Sequence, residues 1–150
     1  MTSESRPLVS VVCPVFNEEK TVPLFYARLA AAIRAVEDKV RFELLFVDNR
    51  STDGTRAAIS ALRANDPRIR VLTMSRNFGY QAAVSAGLKH ASGSAMVAID
   101  ADCEDPPEMI PEFIALWEKG HDVVYGQRER RSEWVGMHLV RKAYYRIHRF

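Results

Sequence analysis

The sequence predicts an α/β fold in which a mostly parallel sheet carries helices on both faces. Short hydrophobic runs rich in β-branched residues alternate four times with longer amphipathic segments, and a fifth run closes the series. Because the amphipathic segments are long enough for crossover helices, neighbouring strands are expected to be parallel. The 150 residues suit a single domain, which at this length buries about two-thirds of its unfolded surface.

The elements follow in order along the chain. Strands are predicted over residues 8–14, 41–48, 68–74, 94–100 and 121–126, and helices over residues 17–39, 51–66, 79–91 and 106–120. The first helix has one apolar face, formed by Val22, Phe25, Leu29, Ile33 and Val36. Asn17 is its candidate N-cap, and Glu18 and Glu19 suit the positive end of the helix dipole.

The residues that follow the strands are the candidate ligand-binding residues, because ligands bind outside the carboxyl ends of parallel strands. After the fourth predicted strand, five carboxylates lie between Asp100 and Glu108. If that strand continues through Asp100 and Asp102, both side chains point to the same face, where they repel each other. A divalent cation would remove the repulsion, and Mg²⁺ or Mn²⁺ prefers such hard oxygen ligands. Asp105 and Glu108 have a simpler interpretation, as acidic residues at the start of a helix that begins at Pro106 or Pro107.

Four motifs give the chain a resemblance to the N-terminal part of family 2 glycosyltransferases, which have the Rossmann-like GT-A fold. The motifs are VVCPVFNEE, FVDNRSTDGT, SRNFGYQAAVSAGL and DADCEDPPE, in this order and at family-like separations. The chain most resembles the polyprenyl-phosphate branch, which includes dolichyl-phosphate mannosyltransferase-like and bactoprenol glucosyltransferase-like enzymes. This resemblance implies a nucleotide-sugar-binding catalytic part over 1–127 and a basic juxtamembrane helix over 128–150. The remainder of the family's domain and its membrane helices are expected to lie beyond this chain.

The resemblance also implies roles for individual residues. Those expected to bind the nucleotide are Pro14, Asn17, Glu18, Asp48, Arg76, Asn77 and Gly79. Within this set, the Asp48 carboxylate would accept a hydrogen bond from the base. Asp100 and Asp102 would bind the metal and the diphosphate, and Glu104, where the family often has Gln, is a candidate third metal ligand. Arg128 would approach a phosphate, so that Asp102 and Arg128 are the candidate catalytic residues.

Besides Glu104, three positions depart from the family pattern. The motif VDDGS of many members is VDNRS here, which places Asn49 and Arg50 at positions that are commonly Asp and Gly. These two substitutions leave the finer nucleotide contacts open. Cys103 stands where the family has Leu, and we interpret it as a small buried side chain.

The resemblance implies an inverting transfer from a UDP- or GDP-linked sugar to a polyprenyl phosphate at the cytoplasmic face of the plasma membrane. The acceptor phosphate is already anionic near neutral pH, so the reaction needs no strong base, and no catalytic histidine is evident. A homo-oligomer is a further expectation, because tetrameric assembly occurs among relatives. A nucleotide-binding module without turnover stays open as an alternative.

Two other classes fit the sequence less well. A Rossmann dehydrogenase needs G-x-G-x-x-G after the first strand, where residues 13–17 contain no glycine. A phospho-receiver domain needs acidic residues after the same strand, and Cys13 and Pro14 supply none.

Charge is distributed unevenly along the chain. Residues 1–127 carry 14 Lys or Arg and 17 Asp or Glu, whereas residues 128–150 carry 7 and 2. We interpret this basic tail as an amphipathic helix on an anionic membrane surface, with a helix packed on the sheet as the alternative. Nucleic acid is not an expected partner, because the rest of the chain is net acidic. The two cysteines have no metal-ligand spacing, and neither a secretory signal nor a run of about 20 apolar residues is visible.

Overall fold

The computed structural model describes residues 6–127, in which four strands form one parallel sheet. The strands are β1 (Leu8–Val15), β2 (Arg41–Asp48), β3 (Ile69–Thr73) and β4 (Ala95–Ala98). The helices are α1 (Thr21–Arg34), α2 (Thr55–Arg63), α3 (Tyr80–His90) and α4 (Ile110–Glu118), and a 3₁₀ helix over Pro107–Met109 precedes α4. The predicted alternation of strands and helices and the parallel pairing are confirmed.

The order of the strands in the sheet is β3–β2–β1–β4. The chain therefore builds outward from β1 to β3, then crosses back so that β4 pairs with the other side of β1. The order of the strands therefore reverses between β1 and β4: α1, which follows β1, packs on one face of the sheet, and α3, which precedes β4, packs on the other. Ligands of open α/β sheets bind at this kind of switch point, which places the candidate site at the carboxyl ends of β1 and β4.

Alternate residues of the central strands pack into two cores, one on each face of the sheet. Val11, Cys13 and Val15 of β1 belong to the larger core, which α1 and α4 cover. Val12, between them, belongs to a smaller core that includes Ala83 of α3. The alternation follows from the two-residue period of a strand, and it explains why β1 and β2 are hydrophobic at nearly every position. The predicted apolar face of α1 is buried as a whole.

Gly87 lets α3 lie close to the sheet. A Cβ atom at this position would lie 2.9 Å from Cγ2 of Val47 and closer still to Cγ1 of Val12. Both valines are buried and β-branched, so neither side chain can move aside. The absence of a side chain at Gly87 therefore sets the distance between α3 and the strands, and α3 forms one wall of the site described below.

The predicted strand over 121–126 is wrong. Residues 121–127 form no sheet ladder with the free edge of β4, and Val123 and Tyr125 are 81% and 79% exposed. The segment has the β-branched and aromatic composition of a strand, but that preference measures how a side chain fits a half-buried pleated surface. Here no such surface covers the two side chains.

Candidate functional site

A cavity of about 290 Å³ opens at the carboxyl ends of β1 and β4 and is closed on one side by the start of α3. The sequence-predicted residues that line it are Pro14, Glu18, Asn77, Gly79, Asp100 and Asp102. Lining residues that the sequence analysis missed are Val15, Phe16, Asn49, Tyr80, Ala83 and Ala101. Most of these missed residues are neighbours of predicted ones, so the only sequence signal for them was their position next to a motif.

Asn17 connects two loops instead of lining the cavity. Its side-chain Oδ1 accepts the backbone N–H of Thr52 at 2.8 Å, and its own backbone N–H donates to Oγ of Ser51 at 3.1 Å. Glu18 adds a third bond, from its backbone N–H to Oγ1 of Thr55 at 2.7 Å. Asn17 has φ 58° and is not the N-cap of α1, which begins at Thr21. The bonds join the β1–α1 loop to the β2–α2 loop and thereby fix the cavity wall that contains Glu18.

Asp48 is fully buried behind the cavity. Its side chain is 0% exposed, its Oδ1 accepts the backbone N–H of Ser51 at 2.8 Å, and Nε of Arg56 lies 3.5 Å from its Oδ2. Oδ2 is buried without a hydrogen-bond partner among the described residues. The carboxylate thus shapes the turn after β2, and Asn49, the next residue, lines the cavity in its place. A direct contact between Asp48 and a base stays a prediction.

Arg76 also lies outside the lining of the cavity. Its guanidinium carbon is 4.6 Å from the centre of the Phe78 ring, a distance typical of a cation–π contact. Phe78 is exposed, as are Phe16 and Tyr80 at the cavity. Two exposed aromatic side chains, Phe16 and Tyr80, therefore line the cavity, and the contact between Arg76 and Phe78 lies outside the lining.

The acidic segment forms a turn and not a continuation of β4. The strand ends at Ala98, Cys103 has φ 66°, and Oδ1 of Asp102 accepts the backbone N–H of Glu104 at 2.8 Å. The strand does not continue through Asp100 and Asp102, so the expectation that strand geometry points both side chains to one face is wrong. Both residues nevertheless line the cavity, because the turn brings them to it instead.

Asp100 is the most constrained carboxylate at the cavity. Its Oδ1 is buried and has no hydrogen-bond partner among the described residues. Burial, followed by the charges of Asp102, Asp105 and Glu104, raises the pKa of Asp100, although a hydrogen bond from the Tyr80 hydroxyl opposes this shift. Burial and the neighbouring Asp100 in turn raise the pKa of Tyr80 to about 12, so Tyr80 keeps its proton and stays a donor.

These residues fit a hard divalent cation held by one or two carboxylates. A cation beside the buried Oδ1 of Asp100 would stabilise its charged form and offset the repulsion from Asp102. Within residues 6–127, no three His, Cys, Asp or Glu side chains are grouped to hold a metal ion. Glu104 lies at a separate groove beside β4, which does not support it as a third ligand. Mg²⁺ commonly completes its shell with phosphate oxygens and water.

Glu108 binds α1 and does not cap the helix that follows it. Its carboxylate oxygens accept hydrogen bonds from Nε and Nη2 of Arg28 at 2.9 and 2.8 Å. Nη1 of Arg28 also donates to the carbonyl oxygen of Cys103 at 3.4 Å. The 3₁₀ helix begins at Pro107, as predicted, and Glu108 lies in its first turn, but no side-chain hydrogen bond caps its N-terminus. Arg28 instead ties the acidic turn to α1.

Two predicted features lie outside the described residues. Arg128 and the basic segment 128–150 belong to the part of the chain that the structure does not describe. Over residues 6–127, no helix combines the length and hydrophobicity needed to span a bilayer.

Sequence comparison identifies the family. A family model described as Glycosyl transferase family 2 matches residues 10–143. The chain belongs to glycosyl transferase family 2. It is 43% identical over 123 residues to the uncharacterized glycosyltransferase YkcC of Bacillus subtilis (strain 168), covering 82% of this chain and 38% of YkcC. It is 39% identical over 145 residues to the prophage bactoprenol glucosyl transferase homolog of Escherichia coli (strain K12), covering 93% of this chain and 45% of that protein.

Solved structures of other glycosyltransferases share the fold of this family 2 chain. The mannosyltransferase PcManGT from Pyrobaculum calidifontis, in complex with GDP-Man and Mn²⁺, superposes with a TM-score of 0.65 at 26% identity, over 81% of this chain and 35% of PcManGT. Glucosyl-3-phosphoglycerate synthase from Mycobacterium tuberculosis, in complex with Mn²⁺, UDP and phosphoglyceric acid, superposes with a TM-score of 0.59 at 25% sequence identity. The superposition covers 81% of this chain and 42% of the synthase. The predicted GT-A fold is confirmed. This chain spans less than half the length of the relatives named here.

Proposed function

We propose that this chain is the donor-binding part of an inverting glycosyltransferase. Its substrates would be a UDP- or GDP-linked sugar and a polyprenyl phosphate, at the cytoplasmic face of the plasma membrane. One observation carries the proposal: the buried Oδ1 of Asp100, which has no hydrogen-bond partner among the described residues, lies at the cavity at the carboxyl ends of β1 and β4. The 39% identity to a bactoprenol glucosyl transferase homolog over 93% of the chain supports the acceptor class.

Each part of the cavity would have a separate task. Pro14, Glu18, Asn77 and Gly79 line the part that would hold the nucleotide. Asp100 and Asp102 would hold Mg²⁺ or Mn²⁺, which when bound neutralises the charge that develops on the leaving diphosphate. Tyr80 would keep Asp100 oriented through its hydroxyl. Arg128 would supply a guanidinium group to a phosphate oxygen.

The acceptor chemistry requires little from the protein as a base. A polyprenyl phosphate has an anionic oxygen near neutral pH, which can attack the sugar carbon without losing a proton. This agrees with the position of the histidines in the described residues. His90 lies at the end of α3, where its Nδ1 is 2.8 Å from the carbonyl oxygen of Ala86, and neither His90 nor His121 lines the cavity.

A nucleotide-binding module without turnover is the second candidate. It is favoured by the length of the chain, which covers 45% of the bactoprenol glucosyl transferase homolog, so that residues needed for turnover can lie elsewhere in a longer protein. Sugar transfer to a polyprenyl phosphate by the full-length parent protein would support the enzyme. Nucleotide binding without sugar transfer would support the binding module.

Calorimetric titration of the chain with UDP- and GDP-sugars, with and without Mn²⁺ or Mg²⁺, tests the donor site. We expect metal to strengthen binding of at least one nucleotide, and Asp102→Asn to remove this metal-dependent gain, by roughly tenfold or more. Asp105→Asn is the matched control, because it removes the same charge from the same segment but lies outside the cavity lining. Equal metal-dependent affinity in Asp102→Asn and the unaltered chain would contradict the metal assignment. Failure to bind any nucleotide would refute the proposed function.

A further inference from the structure

Two asparagine side chains at the cavity are held in a single orientation by backbone groups. Oδ1 of Asn49, a residue only 4% exposed, accepts the backbone N–H of Phe78 at 3.0 Å. Its Nδ2 therefore points the other way and donates to Oδ1 of Asn77 at 2.9 Å. The same oxygen of Asn77 accepts the backbone N–H of Gly79 at 2.8 Å. Reversing either amide would place donor against donor or acceptor against acceptor, so all three bonds require the observed orientation.

These bonds fix the backbone at the point where α3 begins. Gly79 has φ 86° and precedes the first residue of α3, and its carbonyl oxygen accepts the N–H of Ala83 at 3.2 Å. The next residue is Tyr80, whose hydroxyl interacts with the Asp100 carboxylate. A short chain of contacts therefore runs from the end of β2, through the amide pair and the start of α3, to the carboxylate after β4.

We propose that Asn49 and Asn77 are positioning residues that hold the 77–80 segment as a wall of the nucleotide site. This inference deepens the proposed function and rests on it. It also accounts for the asparagine at position 49, where many family members have aspartate. Through its oxygens an aspartate could accept the N–H of Phe78 but could not donate to Asn77. The Asn77 amide would have to turn round, and Gly79 would then lose its acceptor.

The two asparagines therefore respond differently to the same chemical change. Asn49→Asp replaces the side-chain NH₂ group with an oxygen, which cannot donate, and so breaks the link to Asn77. Asn77→Asp keeps an oxygen that can accept from both Asn49 and Gly79, so all three bonds survive. Asn65→Asp is the matched control, because Asn65 is exposed and donates only to the Ala61 carbonyl, outside the cavity.

Backbone amide exchange and nucleotide titration of the full chain together test the inference. In Asn49→Asp we expect the Gly79 amide to exchange roughly tenfold faster while the Phe78 amide stays protected, and UDP or GDP affinity to fall roughly tenfold. In Asn77→Asp and Asn65→Asp we expect Gly79 exchange to stay as in the unaltered chain. Thermal unfolding curves establish that each variant is folded at the temperature of measurement.

Three results would overturn the inference. One is unchanged Gly79 exchange in Asn49→Asp, and another is equal acceleration in Asn77→Asp. The third is faster Gly79 exchange in Asn49→Asp with undiminished nucleotide affinity, because the segment would then not position the nucleotide. Failure of the unaltered chain to bind UDP or GDP is a different outcome, since it refutes the proposed function and this inference together.

Discussion

Asp66, in the loop between α2 and β3, provides a measurable test of how this fold is stabilised. Its side chain is buried and accepts hydrogen bonds from four donor groups through its two oxygens. Oδ1 accepts the backbone N–H of Arg68 at 3.0 Å and Nε of Arg68 at 2.9 Å. Oδ2 accepts Nη2 of Arg68 at 2.7 Å and the hydroxyl of Tyr26 at 2.9 Å. The loop is thereby joined to α1.

The effect of this network on stability follows from the pKa of Asp66. The hydrogen bonds from Arg68, against the opposing effect of burial, lower the pKa of Asp66 from 3.8 to about 2. A folded-state pKa below the unfolded value stabilises the fold above pH 4, and the stabilisation is lost as the pH falls toward 2. A lowering of this size corresponds to about 2 kcal/mol of stability at pH 6 and about half of that at pH 3.

Urea unfolding of Asp66→Asn and the unaltered chain, followed by tryptophan fluorescence, measures this contribution. The variant should lose about 2 kcal/mol of unfolding free energy at pH 6 and about half of that at pH 3. Asp38→Asn, which changes an exposed carboxylate near the end of α1, serves as the control and should stay within about 0.5 kcal/mol at both pH values. If the loss in Asp66→Asn is the same at pH 6 and pH 3, the stabilisation does not come from the ionised carboxylate, and the reasoning is refuted.

Two further outcomes are expected. Arg50 has φ 66° in the turn after β2. A side chain in this left-handed conformation costs about 1–2 kcal/mol, which glycine avoids. Glycine, however, loses about 0.5–1 kcal/mol more conformational entropy on folding. Arg50→Gly should therefore raise the free energy of urea unfolding by about 0.5–1 kcal/mol. A variant less stable than the unaltered chain would contradict this interpretation of the turn. The 1–150 chain should float with anionic liposomes in low salt and detach as salt rises, because each basic residue near the surface contributes about 1 kcal/mol of binding free energy. A 1–127 truncation should not float with the liposomes. Equal flotation of both would place the membrane contact elsewhere.

Asn49 and Arg50 show that the motif predicted the position of the turn at the sheet edge but not the direction of its side chains. Their position after a strand placed them at the edge of the sheet where ligands bind, which the structure bears out for Asn49 at the cavity. The motif did not reveal that Arg50 adopts a left-handed backbone, or that Asp48 is buried while Asn49 is the lining residue. The direction of a side chain in a turn depends on backbone angles that hydrophobic periodicity does not encode.

The sequence by itself determined the strands β1 to β4, the four helices, the parallel arrangement and the edge at which the candidate residues lie. These features follow from local periodicity, because a strand repeats every two residues and a helix about every 3.6. Only the tertiary structure decided that β4 pairs with β1, that Asn17 joins two loops, and that Asp100 has an unpartnered buried oxygen beside Tyr80. It also decided that residues 121–127 form no strand. Each of these depends on which distant segments meet, and that is set by burial and by available hydrogen-bond partners rather than by local pattern.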